Sequence, residues 1–201
     1  MMIALYGGQG QVELVHSMGS DNTPAHAARV SFARDQIDND VMSEDDEKLI
    51  RYLAKHKHLS PFEHVSVSLR ITCPIYIGRQ IMRHRTFSYN EVSRRYTSRE
   101  LRIHTPDALR PQAQKNLQAS AAGQVSNSGV LVDLVKAHNQ RSIALYEHLL
   151  SEGVAREQAR TILPHSTLTS FWMSGNLRNW AHFLELRMHE GAQHEAQELA
   201  Q

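Results

Sequence analysis

Cysteine is all but missing from this sequence. A single thiol, Cys73, occurs in 201 residues, so no intrachain disulfide can form and a reducing compartment is expected. Long apolar runs are missing too: no stretch approaches the ~18 residues of a membrane span. Met1 to Gly10 lacks the basic start of a signal peptide. These features point to a cytoplasmic protein without a membrane anchor. Net charge is close to zero, +1 from 22 basic and 21 acidic residues, which argues against a general nucleic-acid coat. The thirteen histidines form neither an HExxH motif nor a cluster with cysteine. His56, His58 and His64 could suggest a zinc trio, but Pro61 breaks any helix they might share, so no metal is expected.

The chain that remains is 41% hydrophobic and 21% charged, ordinary for a globular protein, and its length fits one domain over residues 1–201. Lysine is scarce, with 5 against 17 arginines, and arginine is favoured where a planar fork must grip phosphate or carboxylate. Seven arginines fall between Arg79 and Arg102, opposed only by Glu91 and Glu100.

Hydrophobic patterning predicts a strand, turn and strand from Ile3 to Val15; Gly7-Gly8, with no Lys-Ser following, reads as the turn. Thr23-Pro24 opens a short helix to about Ser31. Ser43 to Asp46 forms a capping-box pattern before a helix with Leu49, Ile50 and Leu53 on its buried stripe. Val65 to Thr72 alternates, with Val67, Leu69 and Ile71 on one face, and is the clearest strand. Pro74 ends it and starts a helix predicted to run to about Phe87. Residues 105–128 read as loop around a weak helix. Leu131, Leu134, Val135, His138, Leu145 and Leu149 fit the inner face of an amphipathic helix ending near Gly153. Helices from Val154 to Ile162 and from Leu177 to Met188 follow. The class is α+β, with a helix-rich second half.

The chemistry concentrates in Arg83-His84-Arg85 and the polar stretch to Tyr96. Two arginines, a histidine and then Ser, Asn, Glu, Ser and Arg suit a site holding several anionic groups. A solvated basic helix end is the plainer alternative, and it leaves the interleaved Phe87, Tyr89 and Tyr96 without a reason.

Arg-His-Arg followed after seven residues by Ser93 resembles the signature of the flavin-dependent thymidylate synthases. The longer pattern Ser88-x-Asn90-Glu91-x-Ser93-x-Arg95-Tyr96 matches as well. So do Ala28 to Phe32, His58-x-Ser60-Pro61-Phe62-Glu63-His64, Arg79-Gln80, Ala159-Arg160-x-x-Leu163-Pro164, Asn176-x-Arg178, and Arg187 followed by Ala192-Gln193-x-Glu195. The resemblance covers nearly the whole chain. It implies a central antiparallel sheet flanked by helices, and a homotetramer with active sites between subunits. It implies conversion of dUMP to dTMP, with methylenetetrahydrofolate as carbon donor and NADPH as reductant through FAD.

By the same resemblance, Ser31, His58, Ser60, Arg83, His84, Arg85 and Glu91 contact FAD, with Asn176 and Arg178 near its ring or ribityl end. His182 falls where some members carry an asparagine beside the flavin, Ser60 where threonine is common, and Gly191 where many have histidine. Gln80, Arg83, Glu91, Val92, Ser93, Arg94, Arg95 and Arg160 surround dUMP. Arg187 faces the pyrimidine and favours loss of its N3 proton. Ser93 is the candidate nucleophile by position, yet no histidine is paired with it in sequence, and a binding role fits it better. Cys73, at a strand end with no basic neighbour, reads as structural. The competing classes are a nucleic-acid-binding module built on residues 79–102 and a flavoprotein oxidase of unrelated substrate.

Overall fold

The computed structural model describes residues 1–33 and 41–201. The first hairpin joins β1 (Met2–Leu5) to β2 (Gly10–Met18), with Ile3 opposite Val12. Gly10 is required there, because a Cβ would lie 2.6 Å from the Thr72 carbonyl and from the Tyr6 ring. Helix α1 (Thr23–Arg29) begins with proline in its first turn and passes into a 3-10 turn, Val30–Phe32. Helix α2 (Glu44–Lys55) carries the full capping box: the Ser43 hydroxyl accepts from the Asp46 amide, and the Asp46 carboxylate accepts from the Ser43 amide. That reciprocal bonding satisfies two otherwise orphaned N–H groups. Arg29 pairs with the same Asp46 and ties α1 to α2.

The alternating segment forms β3 (Ser66–Pro74) at the middle of a five-stranded antiparallel sheet, ordered β1-β2-β3-β5-β4. Helix α3 is short, Ile75–Ile81, and stops well before Phe87. The chain then turns into β4 (Ser88–Glu91), an edge strand. It pairs with β5 (Leu168–Asn176), a strand the sequence patterning does not reveal. Helix α4 spans Ser128–Ser151. The helix expected over 154–162 is a single turn, α5 (Arg156–Ala159), followed by a 3-10 turn, Arg160–Ile162. Helix α6 (Leu177–Arg187) matches expectation, and α7 (His194–Ala200) adds one more element.

Cross-strand register explains the two faces of the sheet. Leu69 lies opposite Met173 and Ile71 opposite Phe171, and these side chains meet Ile77 and Ile81 of α3, Trp180 and Phe183 of α6, and Leu199 of α7. Each fully buried aliphatic or aromatic side chain contributes about 1.5–3 kcal/mol, so this layer fixes where α3 and α6 sit. The opposite face is polar: Ser68 bonds Ser174 at 2.8 Å and Thr72 donates to Ser170 at 3.2 Å, beside Arg70 and an exposed Trp172.

The inner face of α4 differs from the one its periodicity suggests. Ser128, Val132, Asn139, Ser142 and Tyr146 are buried, while Leu131, Leu134 and Leu145 point outward. The inward polar groups serve irregular chain: the Ser128 hydroxyl accepts from the Leu109 amide, and the Asn139 amide donates to the His104 carbonyl and the Thr105 hydroxyl.

Candidate active site

The signature segment runs from the end of α3 through β4, and packing holds it at four points. Phe87 inserts against Trp180 and Phe183, and fills the space above Gly175, where a Cβ would overlap its ring. The Tyr89 hydroxyl is shared between the carbonyls of Ile81 and His84 at 3.0 and 2.9 Å. The Asn179 side chain of α6 donates to the Thr86 carbonyl at 2.9 Å. The Val92 amide continues the ladder to Ser170. Phe87 and Tyr89 are thus anchors of the loop rather than ligand contacts, and Tyr96 is exposed. The aromatics that favoured an anion site in sequence mostly serve the core.

Beside this loop opens a pocket of about 830 Å³, lined by Arg79, Arg83, Glu91, Val92, Ser93, Arg94 and Arg160 together with Thr167 and Thr169. It gathers six of the residues expected around dUMP. Gln80, Arg95 and Arg187 lie outside it; Arg95 faces Glu157 at 3.8 Å. Within the pocket, Glu91 accepts a 2.6 Å hydrogen bond from the Thr169 hydroxyl, a partner on the unforeseen strand β5. The Arg94 fork is committed to the carbonyls of Arg99 and Glu100 at 2.6 and 3.2 Å, so it shapes the loop as well as lining the pocket. The Ser93 hydroxyl accepts from the Arg95 amide at 3.3 Å, and no described histidine bonds it. A second hollow of about 750 Å³, on the polar face of the sheet, shares Glu91, Val92 and Arg94 and adds Arg70, Arg99, Arg102 and Trp172.

Arg187, at the last turn of α6, is held from two sides. Its Nε donates to His84 Nε2 at 2.9 Å and its Nη2 to the Gln80 carbonyl at 3.0 Å. His84 is nearly buried against Phe183, and its pKa is pushed down to about 4, first by burial and then by the charges of Arg187 and His182. The imidazole is therefore neutral near pH 7 and can accept from the guanidinium. The geometry leaves Nη1 of Arg187 free for a ligand among the described residues.

The residues expected at FAD spread over an adjoining surface. Arg83 and Arg85 are exposed and pair with no described carboxylate. Asn176 caps α6, its Oδ1 accepting from the Asn179 amide at 3.0 Å. Arg178 bonds Glu63 at 2.5 Å, which ties the Ser60–His64 turn, and Ser60 with it, to the start of α6; the His58 ring stacks with Tyr52. His182 is exposed 6.4 Å from the His84 ring. Ser31 is exposed beyond α1, which packs on the Ser60–His64 turn.

Cys73 is fully buried, and its thiol is pushed up to about 12 by burial and by the Glu91 charge, which leaves no thiolate for nucleophilic work. Among the described residues no group of three or more His, Cys, Asp or Glu is placed to hold a metal, and no helix is long and apolar enough to cross a membrane.

Comparison with known proteins bears on the family and the fold. The family model described as thymidylate synthase complementing protein matches residues 13–201. A flavin-dependent thymidylate synthase of Thermus thermophilus is 38% identical over 192 residues, covering 96% of this chain and 69% of that protein. Its counterpart from Thermosipho africanus is 37% identical, covering 96% and 83%. Among solved structures, the UMP/dUMP methylase PolB from Streptomyces cacaoi bound with 5-Br dUMP superposes with a TM-score of 0.84 at 36% identity, covering 98% of this chain and 89% of that one. With 5-Br UMP bound it gives 0.82 at 34% identity, covering 96% and 85%. From residue 13 to its end, then, this chain belongs to the thymidylate synthase complementing protein family.

Proposed function

We propose that this flavin enzyme methylates C5 of dUMP to give dTMP, with methylenetetrahydrofolate as carbon donor and NADPH as reductant. The observation that carries the reading is the fixed guanidinium of Arg187 together with a pocket whose Arg79, Arg83 and Arg160 form no ion pair among the described residues. A dUMP phosphate suits Arg79, Arg83 and Arg160, since planar forks bind phosphate in two-point fashion. The relatives named as flavin-dependent synthases and the PolB structures with brominated UMP and dUMP support the substrate class.

C5 of uracil is a weak nucleophile, and the Cys73 thiol is not ionised, nor does Ser93 have a histidine partner among the described residues to make it a nucleophile. Charge is the remaining device. With the N3 proton released to solvent, a guanidinium at the imide edge stabilises the N3 anion, whose negative charge raises the electron density available at C5. Neutral His84 and the Gln80 carbonyl hold that guanidinium in plane before substrate arrives, so reorganisation costs little. Arg83 and Arg85 fit the diphosphate of FAD, and Ser31, His58, Ser60, Asn176, Arg178 and His182 fit its remainder. When bound, FAD supplies the electrons that reduce the transferred one-carbon unit.

Assembly as a homotetramer with shared active sites follows from the same reading. Two features support it. Gln80, Arg95 and Arg187 lie outside the pocket that holds the other dUMP residues. Helix α4 carries Val130, Leu131, Leu134 and Leu145 exposed on its outer side, an apolar stripe suited to contact between copies. The test of the substrate assignment is the absorbance spectrum of the flavin-loaded protein during titration with dUMP. A saturable change is expected, and an unchanged spectrum at millimolar dUMP would contradict it.

A further inference from the structure

The Ala192-Gln193-x-Glu195 segment has no part in the chemistry so far, yet its side chains connect to Gln80, a residue expected at dUMP. Glu195 is 8% exposed, and one of its oxygens accepts from Arg110 at 2.5 Å. Its other oxygen accepts from the Gln193 amide nitrogen at 2.9 Å. Gln193 Oε1 in turn accepts from Nε2 of Gln80. Gln80 is the residue whose main-chain carbonyl holds Arg187.

We infer that Glu195 and Gln193 are positioning residues that fix the amide of Gln80 with its nitrogen turned inward and its oxygen presented to the nucleotide. The inference rests on the reading of Gln80 as a dUMP contact. Its logic is one of hydrogen-bond polarity. An ionised carboxylate can only accept, so the end of the Gln193 amide that faces it is the NH₂. The opposite end of that amide is an oxygen, which can only accept, so Gln80 meets it with NH₂. Gln80 Oε1 is left as an acceptor with no partner among the described residues, available to a hydroxyl or N–H of the nucleotide.

Three details favour this role over simple packing. Gln193 is the N-cap residue of α7, but its side chain makes no capping bond and goes to Gln80 and Glu195 instead. Glu195 is anchored on every side: its carbonyl accepts from the Tyr6 hydroxyl at 3.1 Å, and its partner Arg110 is itself held by Ser120 at 2.8 Å. Burial would raise its pKa, but the bonds from Arg110 and Gln193 outweigh that and hold it below the usual carboxylate range, so the direction of the relay is set at neutral pH. A buried ion pair adds little net stability, whereas one that sets the sense of two amides in series has a use.

The test is the affinity of the flavin-loaded protein for dUMP, measured by calorimetry, with flavin content and melting temperature as controls. Gln193→Met keeps the side-chain length and leaves the Arg110–Glu195 pair intact. It is expected to weaken dUMP about three- to tenfold, the scale of one misoriented hydrogen bond, with flavin content unchanged. Glu195→Gln lets either amide end face Gln193 and is expected to weaken dUMP in the same direction; wild-type affinity there would overturn the role of the carboxylate. In a Gln80→Ala background, Gln193→Met should change dUMP affinity by less than about 1.5-fold, because the relay has nothing left to orient. Wild-type affinity in Gln193→Met, or an equal penalty in both backgrounds, would overturn the relay. Wild-type affinity in Gln80→Ala alone would instead remove Gln80 from the nucleotide site, a separate failure that the single variant identifies.

Discussion

Arg187→Ala is expected to abolish turnover while leaving the flavin bound. The Nη1 edge of Arg187, without a partner among the described residues, is oriented by the 2.9 Å bond to His84 and the 3.0 Å bond to the Gln80 carbonyl. Loss of one such preorganised donor from a developing anion costs about 2.7–4 kcal/mol, or 10²–10³ in rate. The structural cost is smaller: two hydrogen bonds at about 1 kcal/mol each, against the ~5–15 kcal/mol stability of an ordinary domain. The variant should therefore stay folded at 25 °C and reveal the chemical loss alone. Flavin absorbance and dTMP formation are measured in one sample. The titration of His84, followed by NMR, serves as a structural control, because removing the Arg187 charge should let its pKa rise from about 4. Arg187→Lys should recover little, since one ammonium cannot hold both acceptors and still face the ring. Retention of more than about a tenth of wild-type turnover, a loss below ~1.4 kcal/mol, would refute the reasoning and make Arg187 a scaffold residue.

Replacing both Arg83 and Arg85 by Ala should weaken FAD at least about tenfold, given ~1.5–3 kcal/mol for each charge-assisted bond lost; unchanged flavin occupancy after gel filtration would remove the pair from the cofactor site. Cys73→Ser should keep dTMP synthesis, because the thiol is buried and un-ionised; a folded, flavin-loaded variant without turnover would make Cys73 the nucleophile after all. His84→Gln should flatten the acid limb of stability. Unfolded histidine binds its proton near pH ~6.5 and folded His84 only near 4, so the unfolded state holds more protons in that window. Stability is thus lost as pH falls from about 6.5 to 4. Melting temperatures between those pH values should converge for the two proteins at the acid end, and parallel curves would show that His84 is not held neutral.

Legibility in the sequence followed the directness of the physics. The Ser43 cap, the alternation of β3 and the stripe of α6 are local patterns with one structural meaning each, and they appear where expected. Strand β5 was hidden because Trp172 stands on the open, polar face of the sheet and its Ser, Gly and Asn residues resemble a turn. Helix α4 misled because it covers irregular chain. Backbone at 104–109 needs hydrogen bonds, so serine and asparagine face inward and leucine faces out. The arginine cluster is legible in sequence, and the fold brings Arg79, Arg83 and Arg94 of it to one pocket together with Arg160, although Phe87 and Tyr89 belong to the core. The positioning of Arg187 by His84, of Glu91 by Thr169 and of Gln80 by Gln193 joins residues 78 to 113 positions apart, and no local pattern encodes it.

The most direct measurement is dTMP formation, read as tritium released from C5 of labelled dUMP with methylenetetrahydrofolate, NADPH and FAD present. Turnover is expected with all four, lost when the flavin is stripped, and restored when FAD is returned. Absence of dTMP from the flavin-loaded protein, or turnover that persists undiminished without flavin, would contradict the account.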